Sequence, residues 1–520
     1  MIRGRRVRLG SPQRLTVGVL ATAALAVIGG GSIWTSQARD RRGRPAAERE
    51  RRCTPSLVKP FRSPAFANTP WPTEHADAWR THAAPTGLPA GLGHVRLVTR
   101  STELPPEPVW GYVGTGDKLY VVGGSPYLLN MFTQLMLGAP RSRIPALVAR
   151  TLAASTRVTP YIAQIDARTM EVKVRRFTSG IDVNYTGGLL VHSNGFVYAV
   201  VRGVLYKIDP TRFSVVASRP LPLPPDTSQH PNFFATYNGI AAASNGDLIL
   251  KAWASTGGGA NPPGTLLRVD PTNLSIKASA MPTAVSSARM AIVDRGASEY
   301  IYAPDASDSV RFRVQPTAFT LDDSWTQTYI GPHDTQASSD VFMGNGVVFA
   351  TNTSPTASTP THVFAQSAVA GTPAQRVKAF NGHEIGWNFF MMVGDPYRSG
   401  IAAVGEQSTG RVAGYLVCNG GVSIKKLWEN DEIHSSAGRA VNYRAGQLYT
   451  DDRECQPKRR CKLFLVVLDL HTGRELARVR VRGTEPSMGQ IFIGRNAVYY
   501  IAAQTGRPHG YITRVTAAKR

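Results

Sequence analysis

One local pattern recurs along most of this chain: an alternating apolar strand that ends in Asp, a turn containing Thr, and a second strand. It reads YIAQIDARTMEVKVRRF at 161–177, VLYKIDPTRFSVVASRP at 204–220, TLLRVDPTNLSIKASAM at 265–281 and FLVVLDLHTGRELARVR at 464–480. VRFRVQPTAFTLDDSW at 310–325 is a fifth copy, with Gln315 where the Asp stood. Self-similarity of this kind constrains a fold more than any local propensity, because each copy needs neighbours to bury its apolar face. The side chains of Asp166, Asp209, Asp270 and Asp469 can each accept backbone N–H bonds from the turn that follows. Pro210 and Pro271 fix φ just after the Asp, and Thr169, Thr211, Thr272 and Thr472 add a hydroxyl to the same turn. These residues are turn formers and need no catalytic role.

The other half of each repeat is a Gly-tipped hairpin. GLLVHSNGFVYAVVRG (188–203) carries Asn194-Gly195, a strong two-residue hairpin signal. Similar units occur at 111–124, 239–253, 341–352, 440–452 and 491–502. Hairpin plus Asp turn gives four antiparallel strands, which is one blade of a β-propeller. The Asp-turn positions at 315 and 469 lie 154 residues apart, about three blades, so degenerate turns are expected at AQSAVAGTPAQRV (365–377) and VCNGGVSIKKLW (417–428). The last unit ends after a third strand, YITRVTAAKR. HVRLVTRS (94–101) is placed to supply the fourth and so remove an open edge. The fold class is therefore all-β, a single propeller over 94–520, with eight blades expected and seven if one degenerate unit is not a blade.

LDLHTGREL (468–476) resembles the repeat turn of the quinoprotein-like and YVTN-like propeller superfamily, and the likeness extends over roughly 94–520. The resemblance implies the architecture and no more, since such propellers host enzymes, binders and scaffolds. Enzymes of that group commonly place two adjacent cysteines at their quinone. No adjacent pair exists here and Trp-rich repeat turns are missing, so a quinone cofactor is not carried over.

Residues 15–34, LTVGVLATAALAVIGGGSIW, contain no charge and are long enough to cross a bilayer. Arg3, Arg5, Arg6, Arg8 and Arg14 precede them, as in a signal sequence, and Ser36-Gln37-Ala38 offers small residues for cleavage. Residues 1–38 are read as a signal peptide or an uncleaved membrane anchor forming an N-terminal hydrophobic helix. Either places the body in the extracytoplasmic cell envelope, secreted or held by a single pass. Seven arginines between Arg39 and Arg52 weaken the usual charge bias, so the reverse orientation stays open.

Residues 39–93 are read as a basic, Pro- and Ala-containing linker, largely irregular, with a short helix conceivable at 73–84. Cys455 and Cys461 bracket QPKRR and fit a loop closed by a disulfide, which an oxidising compartment permits. Cys53 and Cys418 either pair or stay free. The formal charge is +24, of which residues 1–52 hold +9. Such a balance favours anionic partners, but no nucleic-acid motif accompanies it, which argues against DNA or RNA.

In a propeller the loop leading into each innermost strand reaches the channel mouth. Here those loops carry His230, His333 with Asp334, His383 with Glu384, and His434, together with Arg289 and Asn184. Imidazoles and carboxylates converging on one face could hold a divalent metal through His230, His333, His383 and His434, or supply acid–base groups near neutral pH. No HExxH or EF-hand spacing is present. The first expectation is a monomeric envelope binder or scaffold that recognises a partner protein, glycan or anionic wall polymer at its channel face. The alternative is a metal-assisted lyase or hydrolase at the His-bearing mouth.

Overall fold

The computed structural model describes residues 53–520 apart from 61, 125–158, 179–187, 202, 223–233, 256–263, 282–288, 297, 305–307, 330–336, 352–361, 382–391, 406–409, 422, 436–437, 456–460, 504–508 and 520. The apolar run at 15–34 therefore lies outside the described residues. Among those described, no helix is long and apolar enough to cross a membrane.

Eight antiparallel sheets succeed one another along the described chain. They are numbered here as blades 1 to 8: 108–176, 189–220, 234–280, 291–328, 337–378, 393–430, 440–481, and 485–519 completed by 95–104. The two degenerate turns are real: 368–374 joins the outer strands of blade 5 and 419–422 those of blade 6. The count is eight, not seven. Closure follows the expected route. Val95–Leu104 pairs antiparallel with Gly510–Lys519, Val95 opposite Lys519 and Leu104 opposite Gly510. Both ends of the propeller thus meet in blade 8, and no blade is left a strand short.

The repeat works as its chemistry predicts. The Asp166 carboxylate accepts from the backbone N–H of Arg168 at 3.0 Å and Thr169 at 2.9 Å. Asp209, Asp270 and Asp469 accept from Thr211, Thr272 and His471 at 2.7, 2.7 and 2.9 Å. The turn then needs one left-handed residue. Met170, Phe213 and Leu274 take it at φ +61°, +50° and +62°, and the last copy uses Gly473 at +69°. That glycine is also where blades dock: the Trp428 indole of blade 6 lies against it and donates to the Leu470 carbonyl of blade 7 at 2.9 Å. Trp325 of blade 4 makes the same bond to Ser367 of blade 5 at 2.8 Å. Two docking tryptophans therefore exist. Reading each copy alone hid them, because each indole serves the turn of the next blade.

Inner strands are covered on both faces by neighbouring blades, and Val197–Val201 and Thr265–Val269 are buried throughout. Outer strands see water and alternate, as in Ser214–Pro220.

The stretch expected to be a linker packs into the body from Cys53 onward. Cys53 is bonded to Cys418 at the end of the third strand of blade 6. The chain then crosses one end of the ring and fills the central channel. It bonds to the innermost strand of six blades in turn: Val113 N–H to Trp71 O, Val191 N–H to Pro72 O, Ile292 N–H to Ala78 O, Phe342 N–H to Trp79 O, Gly394 N–H to Thr81 O and Val441 N–H to His82 O, all between 2.7 and 2.9 Å. Ala83–Ala84 adds a parallel strand to Ala440–Asn442. Residues 73–84 are not a helix. Ala76, Arg80 and His82 sit at φ +74°, +62° and +52°, which no helix permits, and the carbonyls of Ala78, Trp79, Thr81 and His82 bond to blades instead. We call 63–84 the plug.

The channel floor and the long-loop face

In a four-stranded antiparallel blade the connections alternate between the two ends of the ring. Those on the plug side are all short, two to seven residues between strands. Those on the other side include eight of nine residues or more, the longest being the 37 residues 124–160. The plug backbone bonds near the short-turn ends of the inner strands, at Val113, Val191 and Phe342. Its polar side chains reach toward the long-loop end and form a floor across the channel.

The floor is built from residues that lie far apart in sequence. Glu74 receives Arg289 through Nη2 at 2.6 Å and Nε at 3.1 Å, and both residues are buried. The same guanidinium lies over the Trp110 ring, 5.3 Å from its centroid. Arg80 Nε stands 3.3 Å from Asp340 Oδ1, and also donates to the Asp340 carbonyl. Neither carboxylate oxygen of Asp340 accepts a hydrogen bond among the described residues. Burial accordingly lifts its pKa to about 6, although Arg80 and Lys251 oppose the rise. His75 and His82 face each other, ring nitrogen to ring nitrogen, with centroids 4.0 Å apart. Burial pushes both imidazoles well below their ordinary pKa, and Arg80 adds to it, so the pair is neutral near pH 7. Beside them Arg439 is fully buried and donates to Ser435 at 2.9 Å. Ser435 and Tyr500 both bond to Asp451.

Of the residues singled out in the sequence, Asn184, His230, His333, Asp334, His383 and Glu384 lie outside the described residues. Arg289 is at the mouth end of blade 4 and is committed to Glu74. His434 leads into blade 7 with its side chain 70% exposed; its backbone N–H bonds to Asp452 at 2.9 Å and its ring stands 4.0 Å from that carboxylate. Cys455 and Cys461 are joined, at the long-loop end of blade 7. Among the described residues no three His, Cys, Asp or Glu side chains are grouped to hold a metal ion. Sequence reasoning missed Glu74, His75, Arg80, His82 and Arg439, and picked out Asp340 only as one polar residue of a channel-mouth loop. The available signal was TEHADAWRTHAA itself, which puts three charged residues, Glu74, Asp77 and Arg80, and two imidazoles into a stretch otherwise lacking them.

A quinone does not fit these residues. One disulfide lies in the turn region of blade 6 and the other in a loop of blade 7, and the channel centre is taken by the plug.

No family model matches the sequence, and a search of curated proteins returns no match. Solved structures do match. Quinohemoprotein alcohol dehydrogenase from Comamonas testosteroni is 12% identical with a TM-score of 0.54, covering 86% of this chain and 81% of that one. Quinohemoprotein alcohol dehydrogenase ADHIIG from Pseudomonas putida HK5 is 10% identical at 0.56, covering 90% and 83%. A europium-containing methanol dehydrogenase is 10% identical at 0.53, covering 87% and 98%. At these identities the likeness is one of fold: the chain has the eight-bladed architecture seen in quinoprotein dehydrogenases.

Proposed function

We propose that this chain is an exported or membrane-anchored propeller of the cell envelope that binds a partner protein, glycan or wall polymer at the long-loop end of its channel, and that it is a binder, not an enzyme. One observation carries the reading: the two ends of the ring are unequal. The plug closes the short-turn end, and every connection of nine residues or more springs from the other. Long connections on a rigid scaffold are where binding surfaces are normally built. The described floor beneath them is spent on internal pairing, Glu74 with Arg289 and Arg80 with Asp340, and supports the scaffold role.

The test is cosedimentation of the full chain with isolated envelope polymers, against a variant whose residues 125–158 are replaced by a short Gly-Ser linker. Retention is expected to fall by at least about tenfold in the variant. Undiminished retention would remove the long-loop end as the binding surface. Near-stoichiometric metal in the purified chain, lost on His333→Ala with His383→Ala, would replace this reading by the metal-assisted lyase or hydrolase.

A further inference from the structure

Charge in this propeller is sorted by radius. The outermost strands of the eight blades carry 13 Lys or Arg against three acids, Glu103, Glu429 and Glu475. The innermost strands carry no Lys or Arg and four acids. Exposure by itself enriches both signs on a surface, and charge that merely protects an edge strand from pairing can be of either sign. Only one sign is enriched here.

The excess is concentrated where blades 7, 8 and 1 follow one another. Arg482, just after blade 7, pairs with Glu103 of blade 8 at 2.8 Å, and Arg478 takes Glu475, Asp452 and Glu454 at 2.6, 2.9 and 3.2 Å. The outer-strand acids of this sector are thereby used; among the described residues Glu171, in the turn of blade 1, forms no ion pair. Arg480, Arg96, Arg100, Lys173 and Arg176 are all exposed and face no acidic partner among the described residues. Arg100 reaches across to blade 1 and donates to the Arg168 carbonyl at 3.1 Å. In blade 8 the register sets Arg100 directly opposite Arg514. Like charges directly across a sheet are destabilising, and among the described residues neither guanidinium forms an ion pair with an acid. The arrangement makes sense when the anion is supplied from outside.

We infer that the rim of blades 7, 8 and 1 is a docking track for an extended anionic polymer, its phosphates or carboxylates bridging successive outer strands. A polymer fits better than a compact anion, because the cations are spread over three blades and never converge on one pocket. The cations run up the outer strands from Lys173 and Arg96 toward the short-turn end to Arg176 and Arg480 toward the long-loop end; the test tells the two surfaces apart because its variants leave residues 125–158 intact.

The test measures binding of long-chain polyphosphate to the full chain as a function of salt. A variant with Arg96, Arg100, Lys173, Arg176 and Arg480 each changed to Gln is compared with a control carrying Arg376→Gln, Lys378→Gln and Lys425→Gln on blades 5 and 6. The fivefold variant is expected to bind at least about tenfold more weakly. Its log–log salt slope should be shallower by about 3.5, from about 0.7 per charge removed, while the control is unchanged. Arg100→Gln relieves the opposition to Arg514, so its melting temperature should not fall. If the fivefold variant misfolds, Arg96→Gln with Arg176→Gln must still weaken binding about threefold. Binding within about twofold of wild type in the rim variant overturns the proposal, as does binding to phosphatidylglycerol vesicles without binding to the polymer.

Discussion

Removing Glu74 should loosen the plug by an amount that can be worked out in advance. Glu74 and Arg289 are both buried and joined by hydrogen bonds of 2.6 and 3.1 Å, so Glu74→Met leaves a guanidinium in the channel without its carboxylate. Breaking one partner of a buried pair costs about 3–5 kcal/mol, whereas replacing both by apolar side chains of similar volume is near neutral. Residues 53–520 form one compact unit, taken here to unfold together. At about 2.1 cal/mol/K per residue, its unfolding entropy is about 1 kcal/mol/K. The single variant should therefore melt about 3–5 °C lower. Arg289→Met alone should cost a similar amount, and the double variant Glu74→Met with Arg289→Met should recover most of the loss. With each single variant costing about 3–5 kcal/mol and the double near neutral, the double-mutant cycle gives a coupling of about 5 kcal/mol or more. Calorimetric melts of the four proteins measure this directly. Single-variant shifts below about 1 °C, or costs that simply add, would refute the idea that this pair holds the plug in the ring.

Asp340→Asn should change the pH profile. Burial raises the folded pKa to about 6, above the ordinary 3.9, so the unfolded chain ionises first and stability falls as pH climbs from about 4 to about 6. The Asn variant should lack that decline in urea midpoints taken at pH 4, 5, 6 and 7; identical profiles would refute it. Gly405→Ala should cost about 2–3 kcal/mol, because a Cβ there overlaps the buried Arg439 guanidinium; an unchanged melt would refute that packing. Cys418→Ser removes a cross-link spanning 365 residues and should cost about 2–5 kcal/mol. It should also speed tryptic cleavage after Arg62, read by N-terminal sequencing of the fragments, and an unaltered cleavage rate would sink it.

The ring was legible because its instructions are local. An Asp accepts N–H groups two and three residues ahead, and a Gly or a left-handed residue ends the turn, so Asp166, Asp209, Asp270 and Asp469 announce themselves without knowledge of the rest of the chain. Even the closing strand at 95–104 could be placed by counting strands. The plug could not. Its backbone bonds to strands of six different blades, and its side chains are answered by residues 215 positions away at Arg289 and 260 away at Asp340. No periodicity within 53–93 records those partners, so the stretch reads as irregular, which locally it is. Arg289 could be picked out as a channel residue from its place before an inner strand; that its partner would be Glu74 could not.

The Cys53–Cys418 bond also settles where a pull would go. Tension applied to the chain ahead of residue 53 passes through the disulfide into the third strand of blade 6, which is hydrogen-bonded into its sheet on both sides. The plug, beginning ten residues later, lies off that load path. Whatever force reaches this end of the molecule is borne by a blade, and the channel filling stays slack.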